Sequence, residues 1–315
     1  MGPIVVFEKL APVALAFGAG AIFAKRRIIS AENSKTFVDF TFLFAVPCYL
    51  FGNIYKSNLN SLFNWRAILG YALTAIFCMF LVGGLAYLLT SRESRGIALR
   101  IMAGVQVNTA YFAVPVFIML FGNAAPIFPI LLFQTCVLSL IVISVMELGG
   151  TESVSGPVGR LARAVWSSLK TPIVVACNIA ILLNLLSVRV PEALMDGFSF
   201  VGNSSSPVAL FALGLYLGGA GISIRGTPME EIWLITFKCV VFPLTTWIVC
   251  KYVFGVSGDW LTYLVLIAAM PAPQNLFIFA QRYDVGVDMS ASLVVKSSVA
   301  TLLLLPLWVE WVHAA

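Results

Sequence analysis

Two groups of side-chain amides lie inside stretches that are otherwise apolar enough to cross a bilayer. In IMAGVQVNTAYFAVPVFIMLFG (101–122), Gln106, Asn108, Thr109 and Tyr111 precede Pro115. In LIAAMPAPQNLFIFAQRY (266–283), Pro271 and Pro273 precede Gln274 and Asn275. Carboxamides offer N–H donors without a fixed charge, which suits a carboxylate ligand. Proline removes a backbone donor and clashes with the carbonyl one turn back, so each stretch is expected to open near its centre. Half-helix N-termini at the openings would add backbone N–H groups for an anion. The plainer account is that the amides cap the opened helices.

Lys296 is the one charged residue deep in DMSASLVVKSSVATLLLL (288–305). A lysine there is costly in lipid. It reads as countercharge to a carboxylate, as a substitute for a coupling cation, or as a structural cation bonded to an opened carbonyl. Lys238 reads as snorkelling to a nearby interface. Tyr49, beside Pro47 and Cys48, and Ser205, just before Pro207, are candidates for the opposite wall of a cavity; helix kinks alone would also explain those prolines.

Other chemistries lack their residues. The six cysteines all fall in apolar stretches without a CxxC pair and read as small buried hydrophobes. The single histidine, His313, lies at the C-terminal tail, which excludes a histidine-based metal site or catalytic triad. No GxxxxGKS, HExxH or GxSxG motif is present, so neither enzyme activity nor a cofactor is expected. No span carries a central Asp or Glu, which weakens an antiporter built on buried carboxylates.

What must position these residues is a membrane-embedded helical array. The 315 residues are 60% hydrophobic and 10% charged, with a mean hydropathy of +0.98; soluble chains carry about 25% charged residues. The net charge of +5 sits in short loops and implies no nucleic-acid partner. At roughly 20 residues per span, the apolar runs give ten candidate spans, at about 4–24, 36–54, 66–89, 97–121, 124–147, 171–187, 194–219, 229–253, 260–282 and 288–311. With the N-terminus outside, twelve loop Lys and Arg fall in the cytoplasm and five on the opposite face, so both termini are expected on the periplasmic side. The chain enters its first span almost directly, without a cleavable leader.

Residues 148–170 form a Gly/Ser-rich, then basic connector, expected to lie on the cytoplasmic membrane surface between five-span halves at 1–147 and 171–315. The halves look alike: Pro12 and Pro172 are 160 residues apart, and so are Pro47 and Pro207. Five is odd, so the second copy must be inverted relative to the first. Inverted repeats with broken midplane helices are a transporter architecture.

At these motifs the chain resembles the auxin efflux carrier family, the plant auxin carriers and their bacterial malonate and malate relatives. The likeness is carried by FAVPCYLF (44–51), NTAYFAVPV (108–116), PVALFALGLYL (207–217) and MPAPQNLFIFAQRY (270–283), and it spans nearly the whole chain. The resemblance implies an all-α polytopic fold of ten transmembrane helices in a 5+5 inverted repeat, with helices 4 and 9 broken and crossing at their prolines. It also implies that a small organic anion binds at the crossover. Asn108 matches the family's crossover asparagine, Pro115 and Pro271 its prolines, and Asn275 the bacterial form of the ninth-span motif. Leu276 stands where the plant form has a second proline, and no long hydrophilic central loop is present, both of which favour a bacterial-type carrier in the inner membrane. The family expectation is a homodimer. The expected bundles are spans 1, 2, 6 and 7 against spans 3–5 with 8–10, moving by alternating access, with protons or Na+ left open as coupling ions. The rivals are a cation/proton antiporter or sodium-coupled organic-anion symporter on a similar fold, and a non-transporting membrane receptor.

Overall fold

In a computed structural model, residues 3–90, 92–148, 170–219 and 227–314 are described, with side chains left aside at 3–10, 13, 61, 110, 111, 140, 147, 148, 282, 313 and 314. The connector and the side chain of Tyr111 lie outside the described residues. Every regular element among them is helical. We number the helices α1 (Pro3–Lys25), α2 (Ala31–Lys56), α3 (Trp65–Leu89), α4 (Ser94–Val105), α5 (Val114–Phe121), α6 (Ile127–Met146), α7 (Pro172–Leu185), α8 (Glu192–Gly219), α9 (Met229–Val253), α10 (Asp259–Ala268), α11 (Asn275–Tyr283) and α12 (Val287–Ala314). Six of them, α2, α3, α6, α8, α9 and α12, are long and apolar enough to cross a membrane. Large apolar side chains stand outward on these helices, with Phe80 78% and Phe200 84% exposed, a surface suited to lipid rather than water.

Local chemistry explains where the helices begin, end and bulge. The Asn64 side chain caps α3 by accepting the Ala67 N–H at 3.2 Å, and α5 ends on Gly122 in the left-handed region at φ 68°. Hydroxyls inside the spans return to the carbonyl one turn back, as in Thr41 to Phe37 and Thr74 to Gly70. Proline acts differently from expectation at three positions. A single π turn ends two residues before Pro47 (41–45), Pro115 (109–113) and Pro243 (237–241), and each proline then sits in the first turn of the next helix. The wider turn absorbs the missing donor without opening the chain.

The chain divides into two compact units, each drawn from both halves of the sequence. Residues 1–63, 109–129 and 169–222 form one; residues 64–108, 130–168 and 223–315 form the other. This is the expected grouping of spans with one change: residues 109–129, the far side of the fourth span and the start of the fifth, go with α1, α2, α7 and α8.

In the first unit, α1 packs along the second half of α8, and α7 and the first half of α8 pack on α2. The α1–α8 approach is backbone to backbone. A Cβ on Gly20 would collide with the Phe211 carbonyl, and one on Gly214 with the Phe17 carbonyl. Gly214 and Gly218 form the GxxxG spacing that lets spans meet this closely. In the second unit, α4 packs against α3 and α6, α10 against α9 and α12, and α11 against α12 and α4.

Candidate binding site at two helix breaks

The first break follows α4. Its C-cap, Gln106, is extended (φ −70°, ψ 148°), and residues 106–108 have no regular structure before the π turn at 109. The break therefore lies seven residues ahead of Pro115, not at it. Opened backbone in lipid must be satisfied by protein, and here the partners come from distant segments. Gln134, in the middle of α6, accepts the Val107 N–H at 2.7 Å and donates to the Val107 carbonyl at 3.4 Å. Lys238 Nζ donates to the Val105 carbonyl at 3.3 Å, at the end of α4 where the helix dipole favours a cation. Gln106 is 4% exposed, and its Nε2 has no hydrogen-bond partner among the described residues.

The second break runs from Ala269 to Gln274, between α10 and α11. Pro271 and Pro273 lie within it and have no N–H to satisfy. Two hydroxyls of α12 serve the rest of the break in part: Ser297 Oγ accepts the Ala272 N–H at 3.1 Å, and Thr301 Oγ1 donates to the Ala269 carbonyl at 3.1 Å. The two breaks meet directly, the Asn108 N–H donating to the Pro271 carbonyl at 2.9 Å.

The predicted residues are thus distributed. Gln106, Asn108, Pro271, Pro273, Gln274, Asn275 and Lys296 fall in the second unit, with Gln106 and Asn108 buried and Asn275 exposed at the first residue of α11. Gln274 is the N-cap of α11 but makes no capping bond through its side chain. Thr109 and Pro115 lie in the first unit, as do Tyr49 and Ser205. There the Tyr49 hydroxyl donates to the Gly122 carbonyl at 3.0 Å, Ser206 donates to the Pro115 carbonyl at 3.1 Å, and Ser205 is fully buried with its hydroxyl unpartnered among the described residues. Pro47 and Cys48 line a cavity of about 600 Å3 between α2, α7 and α8. Its lining is apolar apart from Arg189, so it lacks the converging polar groups of an anion site.

The buried charges depart from the sequence reading in two ways. Lys238 does not snorkel: it is 1% exposed, with its ammonium 4.8 Å from the centre of the Phe242 ring. A buried carboxylate does exist. Glu231, in the first turn of α9 and 6% exposed, pairs with Lys296 Nζ at 2.7 Å and accepts from Ser292 at 2.7 Å. Arg100 pairs with the neighbouring Glu230 and donates to the Gly96 carbonyl at 2.8 Å.

Gln134, Lys238, Glu231, Ser297 and Thr301 were not among the expected site residues. Gln134 did leave a signal, a lone amide inside the apolar run PILLFQTCVLSLIV, where a polar group needs a reason. Glu231 left none, because its position beside Glu230 at a helix start reads as solvated surface.

The profile of a family described as "Membrane transport protein" matches residues 5–155 and 157–309. The Escherichia coli K12 protein named "Uncharacterized transporter YfdV" is 22% identical over 304 residues, 95% of each chain. A mouse protein named "Lysosomal cholesterol signaling protein" is 24% identical over 301 residues, 89% of this chain and 34% of its own length. A Rhizobium meliloti protein named "Putative malonate transporter" is 28% identical over 119 residues, 37% of each chain.

Proposed function

This chain belongs to the membrane transport protein family, as its resemblance to auxin efflux carriers anticipated, and from that premise we propose that it is a secondary carrier of a small organic anion, a mono- or dicarboxylate such as malonate or malate. It is a multi-pass membrane transporter whose partners are a small substrate and the lipid bilayer. The substrate binds where the two breaks meet, and the two units move relative to each other in alternating access. One observation carries the reading: the Asn108–Pro271 hydrogen bond joins the two openings of the backbone. Open backbone at membrane depth is kept where it serves a ligand site.

The ten-helix 5+5 inverted repeat is part of the proposal. It is supported by equivalent work at equivalent positions. Gln134 and Ser297, 163 residues apart, each accept a backbone N–H in the opened stretch, that of Val107 and that of Ala272. We take the halves as 1–147 and 171–315, the membrane as the bacterial inner membrane with both termini outside, and the assembly as a homodimer. Proton coupling or uniport is favoured over sodium coupling.

Uptake of labelled malonate and malate into proteoliposomes tests this, with wild type beside Asn108→Ala and Asn275→Ala. The expected result is uptake by wild type that falls about tenfold or more in each variant, the size of one hydrogen bond to a charged group at about 1.5–3 kcal/mol. Uptake undiminished in both would return these amides to helix termini without a ligand. A wild type that binds either acid without moving it would favour the receptor reading.

A further inference from the structure

Three basic side chains among the described residues of the second unit are buried: Arg100 and Lys296 are each 9% exposed and Lys238 is 1% exposed. Two of them are neutralised, Arg100 by Glu230 and Lys296 by Glu231. Lys238 has no ion-pair partner among the described residues. Its ammonium, with three donors, makes one hydrogen bond to the Val105 carbonyl and otherwise faces the Phe242 ring. A desolvated cation without a counter-anion is among the costliest groups a membrane span can hold, and it marks a functional position.

Its surroundings give the function a direction. Val105 is the last residue of α4, and the next residue, Gln106, holds a buried Nε2 without an acceptor. The first break therefore combines a cation lacking an anion with an amide lacking an acceptor. We infer that Lys238 and Gln106 form the carboxylate-binding subsite of the first break, with Lys238, not Lys296, as countercharge to the substrate. The inference rests on the carboxylate-carrier reading above. The lysine's flexible stem lets Nζ leave the Val105 carbonyl for a carboxylate, with Gln106 Nε2 as a second donor. Lys296 is committed to Glu231 and instead holds α12 against the start of α9, while the hydroxyls of the same helix serve the second break.

Thermal unfolding of the purified protein in detergent, titrated with malonate, malate and acetate, tests the assignment on wild type, Lys238→Met and Lys238→Arg. Expected is a rise of the wild-type midpoint with malonate or malate, an apparent Kd at least tenfold weaker in Lys238→Met, and partial retention in Lys238→Arg. Without ligand, Lys238→Met should melt closer to wild type than Lys296→Met, because it strands the Val105 carbonyl but no buried charge. A Met variant that binds as tightly as wild type overturns the inference and leaves Lys238 a cap on α4. If the Met variant proves unstable, Lys238→Gln decides, since it keeps a donor for the Val105 carbonyl without the charge: lost binding supports the inference and retained binding overturns it. A wild type that responds to none of the three acids overturns the carboxylate reading itself, and this inference with it.

Discussion

The two helix breaks solve one problem with different chemistry. At Ala269–Gln274, two prolines remove donors in advance, and two hydroxyls from α12 take up one N–H and one carbonyl. Neither partner carries a charge, so the charge there is balanced. At Gln106–Asn108 no proline reduces the demand, and the partners are an amide and a charge, Gln134 and Lys238. That break also retains donors beyond its own need, on the Lys238 ammonium and on Gln106. The balanced break offers no countercharge. A break with surplus donors and a surplus positive charge is prepared for an anion. The sharpest way to break this distinction is through the charges, because the two buried lysines should respond to the same substitution by different amounts.

Lys296→Met strands Glu231, 6% exposed, with Ser292 as its remaining hydrogen-bond partner among those identified. Removing one member of a buried pair costs about 3–5 kcal/mol. Chemical unfolding in detergent micelles should show that loss, and adding Glu231→Leu should recover most of it. The equivalent change at Lys238 gives up one hydrogen bond to the Val105 carbonyl and strands no charge, so it is expected to cost no more than about 1–3 kcal/mol. If both methionine variants are destabilised alike, both lysines are structural and the asymmetry between the breaks disappears.

The next effect compares the backbone partners. Gln134→Leu keeps the volume but strands the N–H and the carbonyl of Val107 in the interior. At about 1–3 kcal/mol for each unsatisfied group, the loss should approach 2–4 kcal/mol. Ser297→Ala strands the Ala272 N–H alone and should cost about 1–3 kcal/mol. Hydrogen exchange should rise at residues 105–109 in the first variant and at 269–274 in the second, each leaving the other break protected. Opening of both breaks by either variant would mean that the Asn108–Pro271 hydrogen bond couples them into one cooperative unit.

How much of this could be read beforehand differs between the breaks as well. The existence of both was legible, because amides and prolines inside apolar stretches are local signals. The second break fell at Pro271 and Pro273 as expected. The first opened at Gln106–Asn108, at the amide signal of Asn108 and not at Pro115, which the π turn at 109–113 accommodates. What satisfies the breaks was not legible. Gln134, Lys238, Ser297 and Thr301 act across 25 to 133 residues of sequence, and which hydroxyl or amide faces an opened carbonyl is fixed by helix packing. Lys238 misled for the same reason: its distance from the span end suggested snorkelling, while its partner is the end of α4.

The smallest expected effect on stability is the one that separates structure from function most cleanly at the second break. Asn275 is exposed at the first residue of α11, and Gln274 before it makes no side-chain cap. Substitution away from buried features usually stays within about 0.5 kcal/mol. Asn275→Ala should therefore unfold within that margin of wild type. Nothing in the packing then stands between this residue and its effect on transport. If malonate uptake drops while stability holds, Asn275 contacts the substrate, and the balanced break contributes to binding through its exposed edge. If uptake and stability are both unchanged, anion recognition belongs to the first break alone, and the second serves to hold the Pro271 carbonyl in place for Asn108.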